Sequence, residues 1–159
     1  MLNTTFKSLC LATAMVSAMM LAAPTSGMAD VNDTVKKRQG EMKELGRSMK
    51  TFKDYLGGSG STSDVEAAAK KMAAIAPTLA EMFPKGSGMD EVSAESEALG
   101  HIWEDWDGFV EIFGTLETEA DKMAALAASG ASNDQIAAQF GAIGKGTCGA
   151  CHKDFRKKK

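Results

Sequence analysis

Residues 132–155 read SNDQIAAQFGAIGKGTCGACHKDF, and the expected fold follows from this stretch. Its apolar positions recur every three or four residues, at Ile136, Phe140, Ile143, Thr147, Cys151 and Phe155. That spacing matches the 3.6 residues of a helical turn and predicts an amphipathic α-helix. Ser132 or Asn133 is suited to be its N-cap, and the four cations of residues 156–159 are suited to its C-terminus.

The same period predicts three further helices upstream. They run from about Val31 to Leu56, from Ser63 or Asp64 to Phe83, and from the region of residues 93–96 to about Ala128. Pro77 falls inside the second helix as a candidate kink, and Pro84 stops that helix because proline cannot continue a helical hydrogen-bond ladder. Strand-like alternation occurs nowhere in the sequence. Four helices joined by short loops predict an all-α, antiparallel up-down-up-down four-helix bundle, which has room for a flat cofactor between its helices.

The N-terminal segment has the layout of a secretory signal peptide. Lys7 gives a small basic region, Leu9 to Ala23 is apolar, and small residues precede a cleavage point after Ala29. An uncleaved anchor is the less favoured alternative, since a transmembrane helix needs about 20 apolar residues. We therefore expect residues 1–29 to be removed and residues 30–159 to form one exported domain located in the periplasm.

Charge and hydropathy limit the function classes. The chain has 18 basic and 21 acidic side chains, so binding to bulk nucleic acid is not expected. No apolar stretch after the signal segment approaches membrane length, so no membrane attachment is expected after cleavage. Cys10 lies in the segment expected to be removed, which leaves two cysteines.

Cys148, Cys151 and His152 form the pattern Cys-x-x-Cys-His. Residues at i, i+3 and i+4 share one face of a helix. Two thiols on that face can add across the two vinyl groups of a haem, and the histidine can supply an axial ring nitrogen to the iron. The pattern therefore predicts one covalently attached haem c.

Three alternatives compete for the two cysteines. A thioredoxin-type redox pair normally opens a helix after a strand. A zinc site needs a fourth ligand, for which His101 or a carboxylate would serve. A structural disulfide is the ordinary use of two cysteines in an exported protein.

At these residues the chain resembles the class II c-type cytochromes, the family that includes cytochrome c prime. The matching features are a haem motif near the C-terminus followed by Phe155 and Arg156, the stretch from Glu97 to Trp103 and on to Phe109, Phe83-Pro84, and Arg38-Gln39 followed by Met42. The resemblance covers the whole expected mature chain. It implies a four-helix bundle with the haem between the helices.

The resemblance also implies roles for individual residues. It places Arg38 near a haem propionate, Gln39 beside the haem and Glu97 at the haem edge. It places Arg156 near the proximal histidine, and Phe83 over the distal face of the haem.

Met42 matches the position that faces the sixth coordination site of the iron. In one branch of the family this residue only crowds a five-coordinate iron, and in the other a methionine sulfur binds the iron. The stretch from Met42 to Met49, MKELGRSM, resembles the methionine-ligated branch. We therefore expect His152 and Met42 to be the two iron ligands.

The expected function is one-electron transfer with redox partner proteins of the periplasm. The alternative is a five-coordinate haem protein that binds nitric oxide or carbon monoxide. Enzymatic turnover is not expected, because the helix on the distal side contains no histidine for peroxidase chemistry. Family members often pair as antiparallel dimers through their first two helices, so the resemblance also allows a homodimer.

Overall fold

The computed structural model describes the backbone of residues 26–158 and the side chains of residues 30–158. The predicted signal peptide stays a prediction, because residues 1–25 lie outside the described residues and only the backbone of residues 26–29 is described. That backbone is helical, so the first helix begins five residues earlier than its apolar pattern indicated.

The helices form a bundle in which each long helix packs on two others. Their bounds are α1 Ser26–Leu56, α2 Thr62–Ile75, α3 His101–Glu104, α4 Trp106–Ala128, α5 Asn133–Ile143 and α6 Ala150–Asp154. Helix α1 packs on α2 and α5, and α4 packs on the same two helices. Short connections make α1 antiparallel to α2 and α4 antiparallel to α5. The described helices confirm the predicted all-α bundle. Within the described residues, no helix is both long enough and apolar enough to cross a membrane.

Capping boxes fix where α2 and α5 begin. At α5 the side chains of Ser132 and Gln135 each bind the other's backbone N–H, which confirms Ser132 as the N-cap. At α2 the N-cap is Ser61, whose Oγ accepts from the Asp64 N–H at 3.2 Å. The prediction of Ser63 or Asp64 was therefore wrong. Asp64 instead completes the box by accepting from the Ser61 N–H at 2.8 Å.

The segment between α2 and α4 departs most from its prediction. Helix α2 ends at Ile75, and Pro77 falls in the first of two 3₁₀ turns, Ala76–Thr78 and Ala80–Met82, rather than at a kink in a continuous helix. Residues 84–100, which we call the strap, are irregular. The predicted helix start at residues 93–96 was wrong, because here hydrogen bonds to α1 replace the helical ladder. The Asn32 side-chain oxygen, for example, accepts from the Ala94 N–H at 2.9 Å.

Asp105 interrupts the predicted third helix. Its backbone leaves the helical region, with φ −121° and ψ 59°, and its side chain accepts from the Gly108 N–H at 3.3 Å as the N-cap of α4. An aspartate side chain can accept a hydrogen bond from a nearby backbone N–H and so replace a bond of the helix. The predicted third helix is therefore divided into α3 and α4.

The last predicted helix is also divided. Gly144–Gly149 forms a π turn between α5 and α6. Helix α6 ends at Asp154, so the prediction that the helix continues into residues 156–159 was wrong. Instead, Arg156 pairs with Ala98 of the strap in an antiparallel bridge. The flanking bonds run from the Leu99 N–H to the Phe155 carbonyl at 3.1 Å and from the Lys157 N–H to the Glu97 carbonyl at 2.8 Å.

Candidate functional site

The two cysteines of the motif lie on the inner side of the C-terminal helical segment. Cys148 belongs to the π turn and Cys151 to α6, and both are half-buried against the hydrophobic core. Neither thiol is in a disulfide. Thr147 anchors the turn, because its fully buried hydroxyl donates to the Ile143 carbonyl at 2.6 Å and lies 3.7 Å from the Cys148 sulfur. A π turn within a helix is a frequent feature of functional sites.

The surroundings of Cys151 and His152 set their protonation states. Burial, helped by the neighbouring Cys148, raises the pKa of Cys151 to about 11, so Cys151 is a neutral thiol at pH 7. The protein packed around the His152 ring lowers its pKa, and Arg156 lowers it again. A neutral imidazole has a free ring nitrogen, which is the form that binds a metal.

Two of the three alternatives for the cysteines lack their structural context. The segment before the motif is helix α5, whereas a thioredoxin-type pair follows a strand. No group of three or more His, Cys, Asp or Glu side chains in the described part of the chain is arranged to hold a metal ion, as a protein-only zinc site requires.

Arg38 of α1 is almost completely buried, with 4% of its surface exposed. One terminal nitrogen donates to the Met82 carbonyl and to the Ser87 hydroxyl, at 3.3 and 3.1 Å. The other donates to the Ser87 carbonyl and the Ser96 hydroxyl, at 3.1 and 2.9 Å. Burial lowers the pKa of Arg38 to about 10, so it remains a cation at pH 7. In the described part of the chain it forms no ion pair, and all four acceptors are uncharged.

Gln39 and Glu97, the other two residues predicted to lie beside the haem, both hold the strap. The Gln39 side-chain amide donates to the Glu95 carbonyl, which ties α1 to the strap. The Glu97 carboxylate lies 3.8 Å from Nε of Arg156, so it faces the segment that follows α6. Arg38 and Gln39 of α1 thus both bind the strap with their side chains. Glu97 of the strap faces the C-terminal segment that follows the motif.

Met42 is half-buried on the face of α1 that packs against the core. One heptad further along α1, the methyl carbon of Met49 lies 3.5 Å from the position that a side-chain carbon on Gly144 would take. Helices α1 and α5 are antiparallel, so a step back along α1 and a step forward from Gly144 run in the same direction along the bundle. Seven residues before Met49 is Met42, and seven residues after Gly144 is Cys151. Seven residues span about 10 Å of helix. We therefore expect Met42 to lie near the level of Cys151.

Aromatic side chains close the end of the bundle that carries the strap. The Phe83 and Phe113 rings each meet Phe109 edge to face at 4.8 Å, and Phe155 meets it at 5.2 Å. The His101 ring stacks on Phe155 at 5.4 Å. Phe83 also carries the Arg38 guanidinium, 4.3 Å from its ring centroid. The apolar spacing predicted that these phenylalanines face the core, but no sequence signal indicated that the His101 ring stacks on Phe155.

The residues present fit a haem. Two half-buried thiols and a neutral imidazole suit attachment and iron ligation, and Met42 offers a thioether sulfur on the core-facing side of α1. Two cationic groups have unused capacity for an anion: buried Arg38 lacks a charged partner, and the buried Nε of Arg156, although it lies 3.8 Å from the Glu97 carboxylate, has no hydrogen bond. Haem propionates are such anions. Cys148, Cys151 and His152 would hold the group.

Comparison with known proteins identifies the family. The family model described as cytochrome c' matches residues 33–156, most of the chain. The chain belongs to the cytochrome c' family. A cytochrome c' of Halomonas halodenitrificans is 32% identical over 136 residues, which cover 80% of this chain and 98% of that protein. A cytochrome c-554 of Cereibacter sphaeroides is 40% identical over 92 residues, which cover 57% of this chain and 66% of that protein.

Solved structures of cytochromes c' share the fold. The crystal structure from Thermochromatium tepidum has a TM-score of 0.73 at 24% identity, covering 80% of this chain and 97% of that one. A cytochrome c' described by its ligand-controlled dimer dissociation has a TM-score of 0.72 at 24% identity, with the same coverage. A nitric oxide complex of a mutant cytochrome c prime from Alcaligenes xylosoxidans has a TM-score of 0.67 at 23% identity, covering 80% and 97%.

Family membership confirms the predicted cofactor. Cytochromes c' bind haem c covalently through cysteines, and Cys148 and Cys151 occupy the positions of that motif in this chain. Members of the family are periplasmic in bacteria. Cytochromes c' can form dimers, as the one with ligand-controlled dissociation does. The roles predicted for His152, Met42, Arg38, Gln39 and Glu97 stay predictions.

Proposed function

We propose that this cytochrome c' family member transfers single electrons between proteins of the periplasm, with His152 and Met42 as the axial ligands of its haem iron. The haem, when bound, supplies a reversible one-electron couple. The protein residues supply two ligands and an apolar surrounding that excludes water. No substrate is converted, so the protein is not an enzyme.

The observation that carries this proposal is the level of Met42. Its side chain is half-buried on the core-facing side of α1. Helix spacing from the contact between Met49 and Gly144 predicts that it lies near the level of Cys151 and its neighbour His152. A thioether sulfur is a good ligand for haem iron and raises its reduction potential. With His152 and Met42 both bound to it, the iron would have no position left for an external gas, an arrangement that would suit electron transfer.

The test is the absorption spectrum of the holoprotein. We expect a low-spin reduced spectrum with sharp, split visible bands. Met42→Ala is expected to give high-spin iron that binds carbon monoxide. Met49→Ala is the matched control, since Met49 is half-buried on the same helix one heptad away, and it is expected to stay low-spin. A native protein that is already high-spin and binds carbon monoxide readily would refute Met42 ligation.

The attachment residues have a separate test. Replacing Cys148 and Cys151 together by alanine should leave no covalent haem on a denaturing gel, because each thioether bond needs one of these two sulfur atoms. Haem retained by the double variant would exclude this mode of attachment. For export, we expect the purified periplasmic protein to begin at Asp30 when its mass is measured. A mass that includes residues 1–29 would contradict cleavage.

A second candidate is a five-coordinate gas-binding protein. It is favoured by the nitric oxide complex of a mutant cytochrome c prime from Alcaligenes xylosoxidans, which has the same fold. The spectra described above decide between the two candidates, because only the gas-binding protein is high-spin without a substitution.

A further inference from the structure

The haem motif lies at a change of helix type. Cys148 belongs to the π turn Gly144–Gly149. Cys151 and His152 belong to α6, which follows that turn directly. An α-helix rotates by about 100° per residue, so the number of residues in each turn sets the direction in which a side chain points. A π turn is wider, because its hydrogen bonds span five residues instead of four. The direction of the Cys148 sulfur relative to the other two groups therefore depends on the π turn.

The apolar spacing around the motif favours a wide turn at this place. Buried or half-buried side chains follow one another at intervals of four residues, at Ile143, Thr147, Cys151 and Phe155. In a regular α-helix each interval of four shifts the side chain by about 40°, so the first and the last would differ by about 120°. The π turn absorbs part of that rotation. It thereby helps to keep Thr147 and Cys151 on the side of the helix that faces the core.

Thr147 is the residue that fixes the π turn. Of the six residues Gly144–Gly149, all of which the structure describes, three are glycines and Thr147 is the buried one. Glycine leaves the backbone free to take other conformations, so the glycines do not hold the turn in place. The Thr147 hydroxyl donates to the Ile143 carbonyl at 2.6 Å. A side-chain bond to the carbonyl four residues earlier competes with the helical ladder and bends the helix, which favours the π turn over a regular α-helix.

The Thr147 hydroxyl also contacts the first attachment residue. Its oxygen lies 3.7 Å from the Cys148 sulfur, a distance that allows a weak hydrogen bond to sulfur. Because Cys148 is only half-buried, packing restrains its sulfur less than full burial would. One buried oxygen atom thus connects the Ile143 carbonyl, which ends α5, to the thiol of the motif.

We propose that Thr147 is a positioning residue for haem attachment. Its hydroxyl holds the π turn and so sets the direction of the Cys148 sulfur for its thioether bond, whereas Cys151 is positioned by α6. In this bond formation the thiol adds across a vinyl double bond: a carbon–sulfur bond forms, the thiol proton passes to the other vinyl carbon, and no oxidant or reductant is consumed. The inference concerns the attachment of the established cofactor and is independent of what the haem does.

Thr147→Val tests the hydroxyl, because valine has nearly the shape of threonine but donates no hydrogen bond. The variant is produced in cells that attach haem c, denatured, and treated with iodoacetamide, which alkylates a free thiol but not a thioether. We expect haem attached through Cys151 alone in part of the product, with the ratio of alkylated to haem-bound Cys148 at least about five-fold above wild type. The haemochrome spectrum should shift to longer wavelength, because one vinyl group stays unreacted.

Two further variants separate the hydroxyl from packing. Thr147→Ser keeps the hydroxyl and loses only the methyl group, so it should attach haem as wild type does. Thr118→Val is the matched control, since the exposed Thr118 hydroxyl also donates to the carbonyl four residues earlier, that of Gly114, at 3.0 Å. It should leave Cys148 fully attached. Complete attachment at Cys148 in Thr147→Val would overturn the proposal, and so would an equal loss in Thr147→Ser.

Single-cysteine backgrounds keep the test decisive if Thr147→Val gives little holoprotein. In Cys151→Ala, haem can attach only through Cys148, so adding Thr147→Val should lower the amount of haem per protein about five-fold. In Cys148→Ala, haem can attach only through Cys151, so adding Thr147→Val should leave that amount unchanged. An equal fall in both backgrounds would show that the substitution damages the fold as a whole, and it would overturn the proposal.

Discussion

Replacing Arg38 with methionine tests how much the buried cation contributes to stability. Its four hydrogen bonds join α1 to the carbonyl of Met82 and to two serines of the strap, Ser87 and Ser96. Methionine fills much of the same volume and can still pack on Phe83, but it donates no hydrogen bond. The substitution therefore removes the polar connection and keeps most of the apolar contact.

The magnitude follows from the acceptors left behind. The Ser96 hydroxyl keeps the Ala98 N–H at 3.3 Å, and the Ser87 carbonyl keeps the Ser96 hydroxyl at 3.4 Å. The Ser87 hydroxyl and the Met82 carbonyl lose the guanidinium donor. Each buried polar group left unsatisfied costs about 1–3 kcal/mol. Relief from burying a charge offsets part of this cost. We expect Arg38→Met to lower the free energy of unfolding by about 3 kcal/mol.

The assay is urea unfolding of the holoprotein, followed by far-UV circular dichroism. Arg47→Met is the matched control, because Arg47 lies on the same helix but is exposed, and its guanidinium pairs with the Glu44 carboxylate. Exposed ion pairs contribute little, so the control should change stability by at most about 0.5 kcal/mol. If the two variants unfold at the same urea concentration, the reasoning from burial is wrong.

Two further predictions concern helix starts. A methyl group on Gly108 would lie 2.5 Å from a carboxylate oxygen of its cap Asp105, whereas one on Gly114 meets no atom within 4 Å. In urea unfolding, Gly114→Ala should raise the free energy of unfolding by about 1 kcal/mol, because alanine favours a helix interior. In Gly108→Ala the loss of the Asp105 cap should cancel this gain. An equal rise in the free energy of unfolding for both variants would contradict the assignment of Asp105 as the cap. Ser61→Ala should destabilise by about 1 kcal/mol at pH 7. Hydrogen bonds from Ser61 lower the pKa of Asp64 in the folded protein. The capping box therefore contributes its full stability to the fold above the ordinary pKa of an unfolded aspartate, and this contribution is lost as the pH falls through the lowered pKa of folded Asp64. The difference between wild type and Ser61→Ala should therefore shrink in acid, and a constant difference would exclude a charged box.

The periodic parts of the fold were predictable because they depend on local patterns. The apolar spacing of residues 132–155 placed Ile136 and Ile143 in the core, and both are fully buried. The serine and glutamine three residues apart marked the start of α5. The Cys-x-x-Cys-His motif was sufficient to indicate the cofactor, since its spacing reflects a requirement of haem attachment.

What the sequence missed depends on contacts between distant residues. The strap contains Ser93 and Glu95, which suit a helix start, but side chains of α1 bind its backbone and hold it irregular. Residues 156–158 have the charges of a helix C-terminus, yet Arg156 pairs with Ala98 in extended backbone. Long-range hydrogen bonds of this kind override local propensity, which is worth less than about 1 kcal/mol per residue.

The pairing of the strap with residues 155–157 has a consequence for biosynthesis. A ribosome makes the chain from its N-terminus, so the strap exists for almost sixty residues of elongation before its partner segment is made. Contacts between such distant residues form late, because the intervening chain must first be ordered. Truncation after His152 would leave the haem motif intact and the strap without its partner. Such a product would expose residues 97–99 to proteases, so complete synthesis is linked to protection from degradation.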